Sequence, residues 1–158
     1  MTDSTEPVCC PPFDPAQWDG KEFVWQEKLF VQDRVRCLFH IPLNFGAVMT
    51  RNLSRIEAVD ALSSDRLTLS DESSLWSSNL YIAVTKPVAG AKMTSLSGTF
   101  HCRVFEGPYR DIGRWIAQMK SELAGRGQRF KCLWFWYTTC PKCAKKYGRN
   151  YVAILAQE

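Results

Sequence analysis

Apolar residues recur with a two-residue period in some stretches and a helical period in others, and that contrast divides the chain into elements. Phe23, Trp25, Leu29 and Val31 alternate with polar neighbours, so 21–34 is expected to be extended, with one face buried and a break near 26–28. Residues 35–41 read as a strand that Pro42 ends. Asn44 then suits the N-cap of a helix whose apolar residues are Phe45, Val48, Met49, Leu53, Ile56 and Val59. A short strand at 66–69 and a turn at 70–74 follow. Leu80, Ile82 and Val84 alternate along a longer strand that stops before Pro87.

The same order returns in the second half. Residues 99–105 read as a strand, Gly107 and Pro108 as the cap and first position of a helix, and Ile112, Trp115, Ile116, Met119 and Leu123 as its apolar stripe, which Gly125 stops. Strands at 129–138 and 151–156 complete it. Two strand-helix-strand-strand halves, about 35–86 and 99–157, predict an α+β fold: a twisted antiparallel sheet with both helices on one face and a ligand cleft between the halves.

Residues 1–20 differ from the rest. They carry Asp3, Glu6, Asp14 and Asp19 with no Lys or Arg, and their prolines oppose regular structure. Cys9, Cys10, Phe13 and Trp18 are poor residues for a free tail, so 1–20 is expected to be an arm packed on a single domain at 21–158. The stretch has neither a basic start nor an apolar run, and no later segment approaches the roughly 18 apolar residues of a membrane span. A cytoplasmic chain with no membrane partner is expected. A net charge of +4, with only 142–149 conspicuously basic, gives no reason to expect a nucleic-acid partner. An acidic protein docking on that basic loop is the one macromolecular interaction the charge pattern offers. Nothing in the pattern assigns an oligomeric state.

The run Val104-Phe105-Glu106-Gly107-Pro108-Tyr109, the helix bearing Trp115 and the late aromatic strand together resemble the second-half signature of the gyrase-inhibitor-like (GyrI-like) small-molecule-binding domains. That resemblance implies a duplicated fold that takes a bulky aromatic or amphiphilic molecule in a central cleft, as in effector-binding modules for drugs, without a cofactor. In some stand-alone members it also implies hydrolysis of strained, cyclopropane-type compounds. The segments Cys9-Cys10-Pro11-Pro12-Phe13-Asp14-Pro15 and Cys140-Pro141-Lys142-Cys143 resemble a separate branch whose members are labelled hydrolases. Typical members carry a Glu on the strand before the last; this chain has Leu133-Trp134-Phe135-Trp136-Tyr137 there.

Trp134 and Trp136 share one face of that strand, and Leu133, Phe135 and Tyr137 the other. One face must meet the helices and the other the cleft, which makes Trp134 and Trp136 the first choice for a ligand wall, with Tyr109, Trp76 and Tyr81 as further candidates. Glu106 is the leading catalytic carboxylate in place of the missing Glu, ahead of Asp71 and Glu72. Its place before a helix start favours its ionised form and so a counter-charge role. His40 and His101 occupy similar points in the two halves, too few ligands for a metal by themselves. Cys140 and Cys143 supply half of a zinc site, which Cys9 and Cys10 would complete if the acidic arm meets the basic loop. Structural zinc, reduced packing cysteines and reactive thiols all remain open for these four, and a zinc- or thiol-dependent protein is the alternative to the ligand-binding reading. Cys37, Cys102 and Cys132 read as small buried hydrophobes.

Overall fold

The computed structural model describes residues 13–38, 41–65, 67–71, 76–138, 148 and 150–158. Strands β1 (Glu22–Leu38) and β2 (Ile41–Pro42) precede helix α1 (Phe45–Ala58); β3 (Thr68–Asp71), β4 (Ser77–Ala83) and β5 (Lys92–Glu106) follow; α2 (Ile112–Gly125), β6 (Cys132–Tyr137) and β7 (Tyr151–Gln157) complete the order. All pairings are antiparallel, in the order β2-β1-β4-β3-β6-β7-β5, and β5 pairs back onto β1. Six strands therefore close into a barrel, with β2 as an appendage on β1. The expected open sheet with two helices on one face and a cleft between the halves is not what forms.

The closure comes from the two long strands. Each changes partner part way along: β1 pairs β5 from Glu22 to Gln32 and β4 from Phe30 to Arg36, while β5 pairs β1 from Lys92 to His101 and β7 from Phe100 to Glu106. Halves that begin near residues 35 and 99 omit the first part of both strands, the parts that pair with each other and join the sheet edges. Closing a barrel removes those edges and encloses one sheet face.

Within the barrel the strand-helix-strand-strand order does occur twice, as β1-α1-β3-β4 and β5-α2-β6-β7. Phe30 and Phe100 mark equivalent points, each fully buried and each paired with strands on both sides. Ser70 of β3 pairs with Phe135 of β6, where the halves meet on the other side. The repeat is broken in β1, where a bulge between Trp25 and Lys28 sets two residues against Ser97. That extra residue switches the strand's faces: Phe23 and Trp25 point into the barrel before it, Phe30 after it, and Leu29 and Val31 lie outside under α1.

Three apolar clusters follow from this closure. The interior holds Phe30, Tyr81, Phe100, Trp134, Trp136 and Leu155. Outside, α1 covers β1 and β4 through Val48 and Ile56 against Val31, Val35 and Ile82, and α2 covers β6 and β7 through Trp115, Met119 and Leu123 against Phe135, Val152 and Ile154. Both apolar stripes face inward as their spacing requires, but onto separate outer walls. Helix starts differ from the sequence reading. Asn44 sits at the N-cap of α1 without capping it, its Oδ1 accepting from the Arg36 N–H at 2.7 Å. A 3-10 turn at Tyr109–Asp111 delays α2 to Ile112. Gly107 adopts a φ of 146°, and a Cβ there would come within 3.2 Å of the Trp115 ring, so glycine is required where β5 turns into α2. No helix among the described residues is long and apolar enough to cross a membrane.

Candidate functional site

The aromatic face expected to line a cleft instead fills the barrel. Trp134 and Trp136 point inward, away from the helices, but are only 7% and 6% exposed. Trp134 lies edge-on to Tyr81 at 4.9 Å, and its indole N–H donates to Gln157 Oε1 at 3.0 Å, so its polar tip is already satisfied. Trp136 meets Phe13 and Trp18 edge-on at 5.2 and 4.8 Å. These two residues of the N-terminal segment close that end of the barrel. The segment is tied down beyond them, because Gly20 N–H donates to Cys102 O and Asp19 Oδ1 accepts from Val104 N–H and Arg103. Burial, with Asp71 and Cys132 nearby, raises the Tyr81 hydroxyl pKa above its ordinary value.

The other sequence candidates are scattered. Trp76 is 57% exposed, and Glu106 stands exposed at the end of β5, paired in register with Tyr151. Asp71 accepts from both the backbone and the side-chain amide of Asn79. Cys37 and Cys102 are buried thiols and Cys132 is half-buried, donating to Gln157 Oε1 at 3.2 Å. Tyr109 lies in the 3-10 turn, its side chain outside the described part. Cys9, Cys10, Cys140, Cys143, His40 and Glu72 also lie outside the described residues. Among the described residues no group of three or more His, Cys, Asp and Glu side chains could hold a metal ion.

One sequence candidate does stand at a cavity. On the outer face of β5, beside the C-terminal turns of α2, a space of about 110 Å³ is walled by Glu22, His101, Arg103, Glu122, Arg126 and Gln128 among others. That is well above the roughly 10–15 Å³ that one water needs. Strand alternation explains why polar residues gather here. Phe100 and Cys102 point into the barrel, so His101 and Arg103 must point out. Glu22 reaches the same wall because it pairs directly with His101 across β1 and β5.

His101 is only 8% exposed and lies between two carboxylates. Its Nε2 is 3.0 Å from Glu158 Oε1, a hydrogen bond that fixes the ring, and its Nδ1 is 3.4 Å from Glu22 Oε2. Glu22 lines the cavity and Glu158 does not, so the ring is held by one carboxylate outside the cavity wall and meets a second within it. Arg103 brings positive charge to the same wall, bound by Asp19 at 3.1 Å and with Nε 3.1 Å from Glu122 Oε2. Cys102 contributes backbone but no nucleophile. Burial, with the charge of Asp19 adding to it, pushes its thiol pKa up to about 12.

Of these residues the sequence reading singled out only His101. A usable signal lay in α2 and β5 together: outward-facing His101 and Arg103 fall on the strand next to a helix whose last turns carry Glu122 and are followed by Arg126 and Gln128. Glu22 and Glu158 carry no comparable local signal, since their place depends on strand register.

Against models of protein families, the chain matches over residues 1–158 the one described as bacterial hydrolase. No curated protein matches it. The hydrolase label expected for its branch agrees with that description, whereas the GyrI-like assignment is not the one that matched. The chain belongs to the bacterial hydrolase family.

Proposed function

We propose that this chain hydrolyses a small molecule at the outer cavity, with water as the nucleophile, His101 Nδ1 as its general base and Glu158 as the residue that positions the ring. The observation that carries this reading is the buried imidazole held by Glu158 at 3.0 Å, with its other nitrogen 3.4 Å from Glu22 in the wall of a polar cavity. The description of the matched family as bacterial hydrolase supports hydrolysis as the reaction type. Glu22, 3.4 Å from Nδ1, is suited to holding the attacking water beside the base, and Arg103 to stabilising negative charge on the substrate. The bulky aromatic ligand implied by the GyrI-like resemblance is set aside, since the chain's own rings occupy the barrel interior.

Purified protein would be assayed on p-nitrophenyl acetate, β-propiolactone and N-methylacetamide. His101→Asn is expected to reduce turnover about 100-fold or more, the usual scale for removing a general base. Glu158→Gln should lower kcat with little change in KM, as expected of a positioning residue. Undiminished turnover in a folded His101→Asn protein, or no turnover of any of the three probes by the parent chain, would exclude the reading.

A further inference from the structure

Arg103 is held from two sides by carboxylates that belong to different parts of the chain. Its Nη1 is 3.1 Å from Asp19 Oδ1 in the N-terminal segment, while Nε and Nη2 lie 3.1 and 3.4 Å from the two oxygens of Glu122 in α2. Of the five N–H groups of a guanidinium, the two carboxylates stand against three and leave one on each terminal nitrogen. All three side chains are partly exposed, so the pairs add little to stability. What they determine is position. A cation between two anions rests where both meet it, and loss of one lets it settle on the other.

Asp19 is itself fixed more firmly than an exposed side chain usually is. The oxygen that meets Arg103 also accepts from Val104 N–H at 3.0 Å. After it, Gly20 N–H donates to Cys102 O and Cys102 N–H donates to Lys21 O, both at 2.9 Å, so the backbone is laced to β5. Before it, Trp18 sets its ring 4.8 Å from those of Phe23 and Trp136. The N-terminal segment therefore does more than close the barrel end. Gly20, Lys21 and Glu22 form part of the cavity wall, and the residue just before them grips the cation in that wall.

We infer that Asp19 is a positioning residue for Arg103: it keeps the guanidinium between itself and Glu122, with its uncommitted N–H groups ready for the negative charge that builds on the substrate during hydrolysis. The inference rests on the reading of this cavity as the active site and adds to it a residue that does not line the cavity. Without the charge of Asp19 the guanidinium turns wholly onto Glu122, and misplacing a stabilising group lowers kcat more than it weakens substrate binding.

Asp19→Asn keeps an oxygen for the Val104 N–H but removes the charge that Arg103 meets; Asp19→Ala removes both. Both full-length variants, alone and combined with Arg103→Met, would be assayed on the three probes named above. Asp19→Asn is expected to lower kcat about tenfold with KM changed by less than about twofold, and Asp19→Ala to lower kcat at least as much. Neither should lower kcat further in the Arg103→Met background, because residues that act as a unit are not additive. A carboxylate that only fastened the segment to β5 would tolerate asparagine and would cost the same factor with or without Arg103, and either result overturns the inference. Nitrogen-15 NMR of the Arg103 guanidinium gives a readout that needs no turnover: its Nη signals, kept apart in the parent by hindered rotation, should broaden or merge in Asp19→Asn. Unchanged Arg103 signals also overturn the inference. Changed signals in a chain that turns over none of the probes would leave the hold of Asp19 on Arg103 standing and remove the hydrolytic reading. Turnover that depends on His101 and not on Asp19 would do the opposite.

Discussion

The two halves of the barrel put opposite chemistry at equivalent places. Counting outward from Phe30 and Phe100, Val31 corresponds to His101 and Asp33 to Arg103. In the first half the strand carries the anion and α1 the cation: Asp33 accepts from Arg51 at 2.6 Å, from Asn52 at 2.8 Å and from the Arg34 N–H at 2.7 Å. In the second the strand carries the cation and α2 the anion, with two Arg103 nitrogens 3.1 and 3.4 Å from the two Glu122 oxygens. Val31 is buried in apolar packing, while His101 faces a cavity. A duplicated scaffold thus sets one copy of its strand-helix ion pair beside apolar packing and the other beside a cavity.

The interior is where the halves should be most alike. Phe30→Ala and Phe100→Ala each remove a fully buried ring from the same cluster, and each should cost about 3–5 kcal/mol, read as a shift in the midpoint of urea unfolding. Costs that differ by more than about 2 kcal/mol, beyond the spread expected at matched sites, would break the equivalence on which the comparison stands.

The seams should differ next. Asp33→Ala removes an acceptor that three donors share and should cost about 1–3 kcal/mol. Arg103→Met removes a cation that pairs with both Asp19 and Glu122 through partly exposed side chains, and should change stability by at most about 1 kcal/mol. Acid adds a second distinction. Burial alone would raise the Asp33 pKa, but the hydrogen bonds from Asn52, Arg51 and the Arg34 backbone, with the charge of Arg51, outweigh it and hold the carboxyl below its ordinary 3.8. A folded-state value lower than the unfolded one means the contribution is complete above the unfolded value and is lost as pH falls through the folded one. The stability gap between parent and Asp33→Ala should therefore narrow on acidification through that range. A gap that widens in acid contradicts the assignment.

Helices were legible because their apolar stripes are strict, and strand alternation set Trp134 and Trp136 on one face without deciding whether that face meets the helices or the interior. Closure was not. Residues 92–98 read Lys-Met-Thr-Ser-Leu-Ser-Gly, a loop-like composition that becomes strand only because β1 pairs with it. The β1 bulge misleads in another way: Phe23, Trp25, Leu29 and Val31 look like one buried face, yet the extra residue sends the first two inside and the last two outside. Once the barrel is closed, an aromatic wall becomes a filled interior and the polar cavity falls on the outer surface. His101 was visible as a candidate, but its partners come from the start of β1, the end of α2 and the residue after β7. Only register and closure bring them together.

The bulge also provides the smallest and most local test, because it is the point where β1 departs from β5. Glu27 has a φ of 52°, a left-handed conformation that costs an ordinary residue roughly 1–2 kcal/mol. Its side chain is exposed, and its backbone N–H donates to Ser97 Oγ at 2.8 Å, a bond that glycine retains. Glu27→Gly should relieve the backbone while adding about 0.5–1 kcal/mol of unfolded-chain freedom, leaving a net stabilisation below about 1 kcal/mol. Gly98 lies on the partner strand with a φ of 128°, a Cβ there would meet only ordinary contacts at 3.7 Å, and alanine should nevertheless destabilise because the backbone conformation itself opposes a side chain. Opposite signs for Glu27→Gly and Gly98→Ala in thermal unfolding would locate the asymmetry in backbone strain at the bulge. If Glu27→Gly destabilises instead, the left-handed strain is not what limits β1 at this position, and the departure from two-fold symmetry must be held by packing on either side of it.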